Sequence, residues 1–302
     1  MSHTVRWTPE KIAQRLALIE SLVYRSRLPL PPFRYKALSS PLDAPPVGQE
    51  YDDSGWAEIA PSTYWSGWRQ DFILRTTFRT PESNTRNPIF ALHLPLGDMR
   101  DFSHPETLAY LDGQPYAAAD RHHPEIVLPP AMCDGQPHRL ALHGWTGGDI
   151  AADQHIKLYM RECAVVEIEP LVREFVAAAR VTVEVASQLD DNDPVKGRLY
   201  NALDDAFKVL DTRGVEKGRV VGSAEFPDEI VGTTAFYDSV PEALRTLRQE
   251  VAAAGAPMDV DIIGVGHAHI DVAWLWTLGQ VVRKSGRTFS TVLRLMEQYP
   301  DY

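Results

Sequence analysis

Near the C-terminal end of the chain a mostly β-branched apolar run, Val260, Ile262, Ile263 and Val265, leads past Gly264 and Gly266 into His267-Ala-His269-Ile-Asp271. Branching at Cβ and the flanking glycines predict a short buried strand that delivers polar residues at its carboxyl end. If the chain stays extended there, the period of two puts His267, His269 and Asp271 on one face. Imidazole nitrogens and a carboxylate oxygen are ligands suited to a zinc-like divalent ion. Open and barrel-like α/β folds also place their sites at the carboxyl ends of strands. Ordinary hydrogen-bonded histidines at a strand end show the same spacing, so H-x-H-x-D by itself leaves both readings open.

The residues that follow narrow the choice. Ala273-Trp-Leu-Trp276 is followed by Arg287-Thr-Phe-Ser290, Leu293, Leu295-Met-Glu297 and Tyr299-Pro300. This stretch resembles the start of the catalytic domain of glycoside hydrolase family 38, the α-mannosidases, in the cytosolic and bacterial-type branch. The resemblance is close over residues 260–302 and loose upstream. It departs from the family pattern at Thr277-Leu278, past the candidate ligands, which affects only the loop that follows. The resemblance implies one divalent metal ion, zinc or cobalt, with His269 and Asp271 as ligands and His267 as an orienting neighbour. It also implies that Trp274 supports the bound sugar ring, although a Trp at such a place can equally pack the first helix. No catalytic residue is expected within the chain. The nucleophile Asp, the general acid and the remaining ligands are expected beyond Tyr302, so the chain alone is expected to be inactive.

Three functions are compatible with these residues. The first is the N-terminal part of a metal-dependent retaining α-mannosidase, which needs two carboxylates about 5 Å apart. The second is a carbohydrate-binding or interaction module without chemistry, since the catalytic carboxylates are not reached. The third is a metal-dependent amidohydrolase, whose first barrel strand also ends in H-x-H. That class would use both His267 and His269, and nothing in it calls for the Trp274–Trp276 and Arg287–Ser290 continuation.

Whole-chain properties limit the partners. A formal charge of −11 over 302 residues argues against a phosphate-binding surface, so no nucleic acid is expected. No apolar run approaches the roughly 20 residues of a membrane span, and the N-terminus has no signal-peptide core. Cys133 and Cys163 are too few and too isolated for a disulfide framework. Cytoplasm is therefore the expected compartment, a mannose-containing oligosaccharide the expected substrate, and a homo-oligomer is left open.

Upstream of the motif the chain reads as several domains. Residues 1–50 are expected to be a helix from Thr8-Pro9-Glu10 and a Pro-rich linker through Pro29, Pro31, Pro32, Pro41, Pro45 and Pro46. Residues 51–168 carry short alternating segments and turn signals, which predict a jelly-roll-like β-sandwich. Among these, Leu108–Leu111 followed by Asp112-Gly113 predicts a hairpin. Trp56, Tyr64, Trp65, Trp68 and Trp145 are candidates for a sugar-stacking platform, and core packing is the commoner role for such residues.

Residues 169–257 are expected to be a helical connector built on a hairpin. It begins at Pro170, turns at Asp190–Pro194, and ends with a helix opened by the capping box Ser239-Val-Pro-Glu242. Residues 258–302 would be the first strand and helix of an α/β catalytic domain. A lone strand–helix unit cannot bury two apolar faces. Its Val, Ile and Phe side chains are therefore expected to pack poorly or to lie against the helical hairpin or a second chain.

Overall fold

The computed structural model describes residues 8–97, 105–147, 157–215, 232–255, 260–261, 263–267 and 269–300. Asp259, Ile262 and Ala268 of the motif lie outside the described residues. The chain mixes several sheets with helices and divides into two compact units, residues 1–26 with 167–263 and residues 27–166 with 264–302.

The first unit is helical. Helix α1 (Thr8–Glu20) packs with α2 (Pro170–Gln188), α3 (Pro194–Val209) and α4 (Thr234–Ala254). Ile12 and Leu16 of α1, Phe175 of α2, Phe207 of α3 and Phe236 and Leu244 of α4 share one core. Both hairpin helices start at Pro, whose missing N–H is one that a first turn leaves unpaired anyway. The Asp193 carboxylate accepts from the Val195 N–H at 2.8 Å and caps α3. Helix α4 differs from expectation at its start. Thr233, whose hydroxyl accepts from the Phe236 N–H at 3.1 Å, is the cap, and Ser239-Val-Pro-Glu242 lies inside the helix. Ser239 spends its hydroxyl on the Phe236 carbonyl, at 2.6 Å, and on the Asp211 N–H, at 2.9 Å. Gly255 ends α4 with φ of 83°, a conformation that glycine adopts without strain.

The second unit holds the sheets. The proline-rich stretch expected to be a linker instead supplies β1 (Tyr24–Pro29) and β2 (Phe33–Leu38). Pro29 closes β1 and Pro31 and Pro32 fall between the strands, where a missing N–H interrupts no ladder. There follow β3 (Ala57–Ile59), β4 (Thr63–Trp65), β5 (Asp71–Phe78), β6 (Ile89–His93), β7 (Glu106–Leu111) and β8 (Gln114–Ala119). After them come β9 (Glu125–Val127), β10 (His138–Trp145), β11 (Leu158–Met160) and β12 (Ala164–Ile168). The sheet orders are β3-β2-β5-β10-β7-β8, β1-β12-β6-β9 and β11-β4. Every pairing in the six-stranded sheet is antiparallel. The hairpin expected at Asp112-Gly113 is present, with φ of 48° and 85°, the two positive values that a two-residue type I′ turn requires.

Alternation decides what each face of the six-stranded sheet does. Leu140 and Leu142 of β10, Phe72 and Leu74 of β5 and Ala109 and Leu111 of β7 point to one side. They form a common core there with Phe90, Leu92 and Val165 of the four-stranded sheet and Trp65 of the two-stranded one. Gly144 continues this side of β10, where a Cβ would stand 2.5 Å from Phe72 Cζ and 2.7 Å from Thr107 Cγ2. The opposite side is mixed, with Asp71, Ile73 and Arg75 on β5, Glu106, Leu108 and Tyr110 on β7 and His143 and Trp145 on β10.

Helix α5 (Leu278–Gln298) packs against β7 and β8. It meets the sheet with its polar side. Lys284 Nζ donates to the Glu106 carboxylate at 3.1 and 3.2 Å, and Arg287 Nη2 does so at 2.7 Å. Arg283 donates from Nε to the Pro41 carbonyl and from Nη2 to that of Asp43, at 2.5 and 2.9 Å. The apolar stripe of α5, which includes Val282, Phe289, Leu293 and Met296, is exposed.

The run before the histidines is also corrected. No strand is assigned at 260–261 or 263–267, and Ile263 and Val265 are 87% and 82% exposed. A strand needs a neighbour for its N–H and C=O groups, and none of the described strands pairs with this run.

Candidate functional site

The candidate ligands sit on an exposed, irregular segment of the second unit. The His267 and His269 rings are stacked, 5.9 Å apart with an interplanar angle of 19°. His269 Nε2 lies 3.0 Å from Asp271 Oδ1. The three side chains predicted from the spacing are thus side by side. After Asp271 the backbone bends through Val272–Trp276, with Ala273 in the left-handed region at φ of 59°. Trp276 fixes the bend, because its Nε1 donates to the Asp271 carbonyl at 3.2 Å. The Trp274 N–H donates to the Trp276 carbonyl at 3.2 Å, and the two indoles meet edge to face at 5.4 Å. Lys284 Nζ stands 4.6 Å from the centre of the Trp276 ring, which ties the bend to α5.

Whether these residues fit a metal ion is a question of donor number and spacing. Adjacent corners of a tetrahedral zinc site are about 3.4 Å apart at ordinary ligand distances. The 3.0 Å separation of His269 Nε2 and Asp271 Oδ1 is close to that spacing, and both are ligand types that zinc accepts. They fit two corners. Among the described residues no group of three or more His, Cys, Asp or Glu stands together as a metal site, so the other corners need donors from elsewhere.

The five aromatic residues considered for a sugar platform do not form one. Trp65 is buried, donates from Nε1 to the Leu96 carbonyl at 3.0 Å and packs edge to face on Phe72 at 5.0 Å. Tyr64 is exposed against Tyr159, and Trp68 carries the Arg69 guanidinium over its ring at 4.3 Å. Trp145 alone reaches the neighbourhood of the motif. It lines a cavity of about 380 Å³ together with Arg69, Asp71, Trp274, Trp276 and Gln280.

That cavity was not foreseen, because its walls come from residues some 200 positions apart. Gln280 Nε2 donates to Asp71 Oδ1 at 2.5 Å. Burial raises the pKa of the Asp71 carboxyl, against the opposing pull of the Gln280 bond and of Arg287 and Arg283. Next to it, burial would raise Glu106, but Arg287 and Lys284 outweigh burial and hold this carboxyl below its ordinary value. His143 is held down at about 4, by burial first and then by Arg283 and Arg287. Little in the sequence marks these polar side chains, because Asp71, Glu106 and His143 fall on three separate strands that carry other polar residues such as Arg75, Thr107 and Arg139.

Comparison with known proteins supports the resemblance to family 38. Residues 259–302 match the Glycosyl hydrolases family 38 N-terminal domain. Over 105 residues, 35% of this chain, the sequence is 28% identical to an alpha-mannosidase of Saccharomyces cerevisiae. Over 41 residues, 14% of the chain, it is 51% identical to alpha-mannosidase 2C1 of Mus musculus. These matches span 8% and 4% of the two relatives' own lengths. Among solved structures, a calcium-binding mutant of Bacteroides uniformis beta-glucuronidase 2 aligns with 47% of this chain and 18% of its own. The identity is 12% and the TM-score 0.34, a likeness too slight to carry an argument. Residues 259–302 are thus similar to the N-terminal domain of the family 38 glycosyl hydrolases, and the chain spans less than a tenth of the length of either alpha-mannosidase.

Proposed function

We propose that this chain is the N-terminal part of a metal-dependent, retaining α-mannosidase acting on mannose-containing oligosaccharides. The observation that carries the reading is the family 38 match over residues 259–302. His269 and Asp271 are the proposed ligands of one zinc or cobalt ion, a role supported by their 3.0 Å approach. His267, stacked on His269, orients the pair, and Trp274, exposed at the bend, offers its face to a sugar ring. When bound, an ion at this place would supply Lewis acidity and a template for the vicinal hydroxyls of mannose. A retaining mechanism also needs two carboxylates about 5 Å apart. We assign both to residues after Tyr302, so the 302-residue chain alone is inactive.

In domain terms we propose that the strands within residues 24–168 form a jelly-roll-like β-sandwich and that α1 joins the helices of residues 169–257 in a helical connector. Residues 258–302 open the α/β catalytic domain. In the intact enzyme the exposed Val260, Ile263 and Val265 become its first strand once neighbouring strands are present. No described helix is long and apolar enough to cross a membrane, and the proposed compartment is the cytoplasm. Neither nucleic acid nor membrane is a proposed partner.

The test is the hydrolysis of an aryl α-mannoside by the intact protein, with the first-formed anomer read by NMR. We expect α-mannose, loss of activity with a chelator, and recovery with zinc or cobalt. A β-configured first product, or activity that survives metal removal, overturns the proposal.

A further inference from the structure

The bend that carries the candidate ligands has little of its own to hold it. None of the described strands pairs with it, and its residues are largely exposed. Ala273 sits at φ of 59°, a left-handed conformation that a residue with a Cβ resists. The internal tie is the Trp276 indole, which donates to the Asp271 carbonyl at 3.2 Å, while the Asp271 carboxylate lies 3.0 Å from His269 Nε2. Support for the indole comes from outside the bend. Lys284 Nζ stands 4.6 Å from the centre of the Trp276 ring and also donates to both oxygens of Glu106 on β7, at 3.1 and 3.2 Å. An ammonium is strongly hydrated, and it leaves water for an indole face when its donors are satisfied elsewhere. Glu106 takes two of its three donors. The carboxylate is itself pinned by Arg287 Nη2 at 2.7 Å, so the ammonium is held against a fixed point.

We propose that Glu106 and Lys284 are positioning residues for Asp271. They act through Trp276: the sheet holds Glu106, Glu106 holds the ammonium, the ammonium holds the indole, and the indole holds the backbone of the residue whose carboxylate faces His269. The six-stranded sheet thereby sets the place of a side chain in a segment that follows it far along the chain. Arg283, the neighbour of Lys284, anchors the same helix to the backbone carbonyls of Pro41 and Asp43. Loss of anchorage alone can therefore be told from loss of the hold on Trp276. That Asp271 binds a metal ion rests on the mannosidase reading, whereas the hold on its backbone does not.

The experiment has two arms. In the first, exchange of the Trp276 indole N–H with water is followed by NMR in the purified 302-residue chain with EDTA present, the resonance being assigned with Trp276→Phe. Lys284→Met, which keeps the length of the side chain and removes its charge, should speed the exchange severalfold with the circular dichroism spectrum unchanged. Glu106→Gln should act in the same direction. Lys284→Arg, whose guanidinium can lie on an indole and pair with a carboxylate, should keep the exchange slow. Arg283→Met should leave it close to that of the unaltered chain. In the second arm, cobalt binding by the intact protein is titrated by its absorption. Lys284→Met should weaken it about tenfold, the lower end of what an orienting group outside the ligand set contributes, and Arg283→Met should not. Exchange that Lys284→Met leaves unchanged, or that Arg283→Met speeds as much, overturns the proposal. So does cobalt bound equally tightly by the Lys284→Met and unaltered proteins. An intact protein that binds no cobalt, with the effect on exchange present, sinks the metal reading of Asp271 alone and leaves the hold on its backbone standing.

Discussion

Glu106 at the start of β7 accepts a hydrogen bond of 2.7 Å from Arg287 in the middle of α5, and Arg287 is only 6% exposed. The segment that follows the histidine–aspartate motif is therefore fastened to the sheet by charge. Removing one member of a buried pair leaves the other uncompensated, which costs about 3–5 kcal/mol. Glu106→Ala should destabilise the chain by that order in urea denaturation. The double variant Glu106→Ala, Arg287→Met should recover a large part of the loss, because Arg287, the more buried of the two cations on Glu106, no longer stands unpaired while Lys284 is nearer solvent. A double variant as unstable as the single one would show that the pair is not what holds α5.

The apolar side of the same helix gives the opposite expectation. Phe289 and Leu293 are exposed, so Phe289→Ser and Leu293→Ser should change the stability of the 302-residue chain by no more than about 0.5 kcal/mol. The same substitutions in the intact enzyme, where we propose that these side chains are covered, should cost several times as much. Equal effects in the two proteins would refute the covering.

At Gly144 the sheet has no room for a methyl group, with Phe72 and Thr107 closing in from neighbouring strands. Gly144→Ala should lower stability by about 1–3 kcal/mol, the usual cost of overpacking. Thermal melts of the two chains side by side measure this directly.

The chain should also lose stability in mild acid. His143 and His93 are both held at about 4, chiefly by burial, against about 6.5 in the unfolded chain. Arg283 and Arg287 add to the effect at His143, and Arg27 adds to it at His93, partly offset there by Glu125. A depressed folded pKa means that the stability is whole above about 6.5 and is lost as the pH falls towards 4. At pH 5 each histidine costs about 2 kcal/mol. Asp71, whose carboxyl is raised, acts in the opposite sense, and this should show only in more acidic solution. The unfolding midpoint in urea should therefore fall from pH 7.5 to pH 5, and His143→Gln should flatten the profile. An unchanged slope in that variant would acquit His143.

In the intact protein, His269→Ala or Asp271→Asn should abolish bound metal, because each removes one of the donor atoms we propose. His267→Ala should cost roughly 10- to 100-fold in metal affinity, the usual effect of losing an orienting neighbour. Metal analysis that found His267 indispensable would favour an amidohydrolase-like site instead.

Much of this architecture could be read from local chemistry. Asp112-Gly113 announced its turn because few residues accept two positive φ values in succession, and the helical hairpin showed in Pro170 at its start and the turn residues Asp190–Pro194 in its middle. The start of α4 was misplaced because Thr233 competes with Ser239 as a cap, and only the surrounding packing shows which hydroxyl meets an unpaired amide. The run from Val260 to Val265 has the composition of a buried strand, but composition cannot provide the neighbouring strands. Helix α5 was hardest. An amphipathic pattern says that two faces differ, and it leaves open which one meets the protein when the sheet below presents Glu106 and Asp71.

The two units are interleaved along the chain, and this has a consequence for biosynthesis. Residues 8–26 belong with residues 167–263, and the intervening residues 27–166, about 140 of them, build the other unit. At roughly 5–20 residues per second, the ribosome leaves α1 without its partners for about 7–28 s. During that interval Ile12, Leu16 and Ile19 are an amphipathic segment exposed on a nascent chain, the kind of surface that chaperones hold. The sheets can begin to pair while α1 waits, so the order of folding runs against the order of synthesis at the N-terminus. A gene rearranged to encode residues 8–26 after residue 263 would remove the wait.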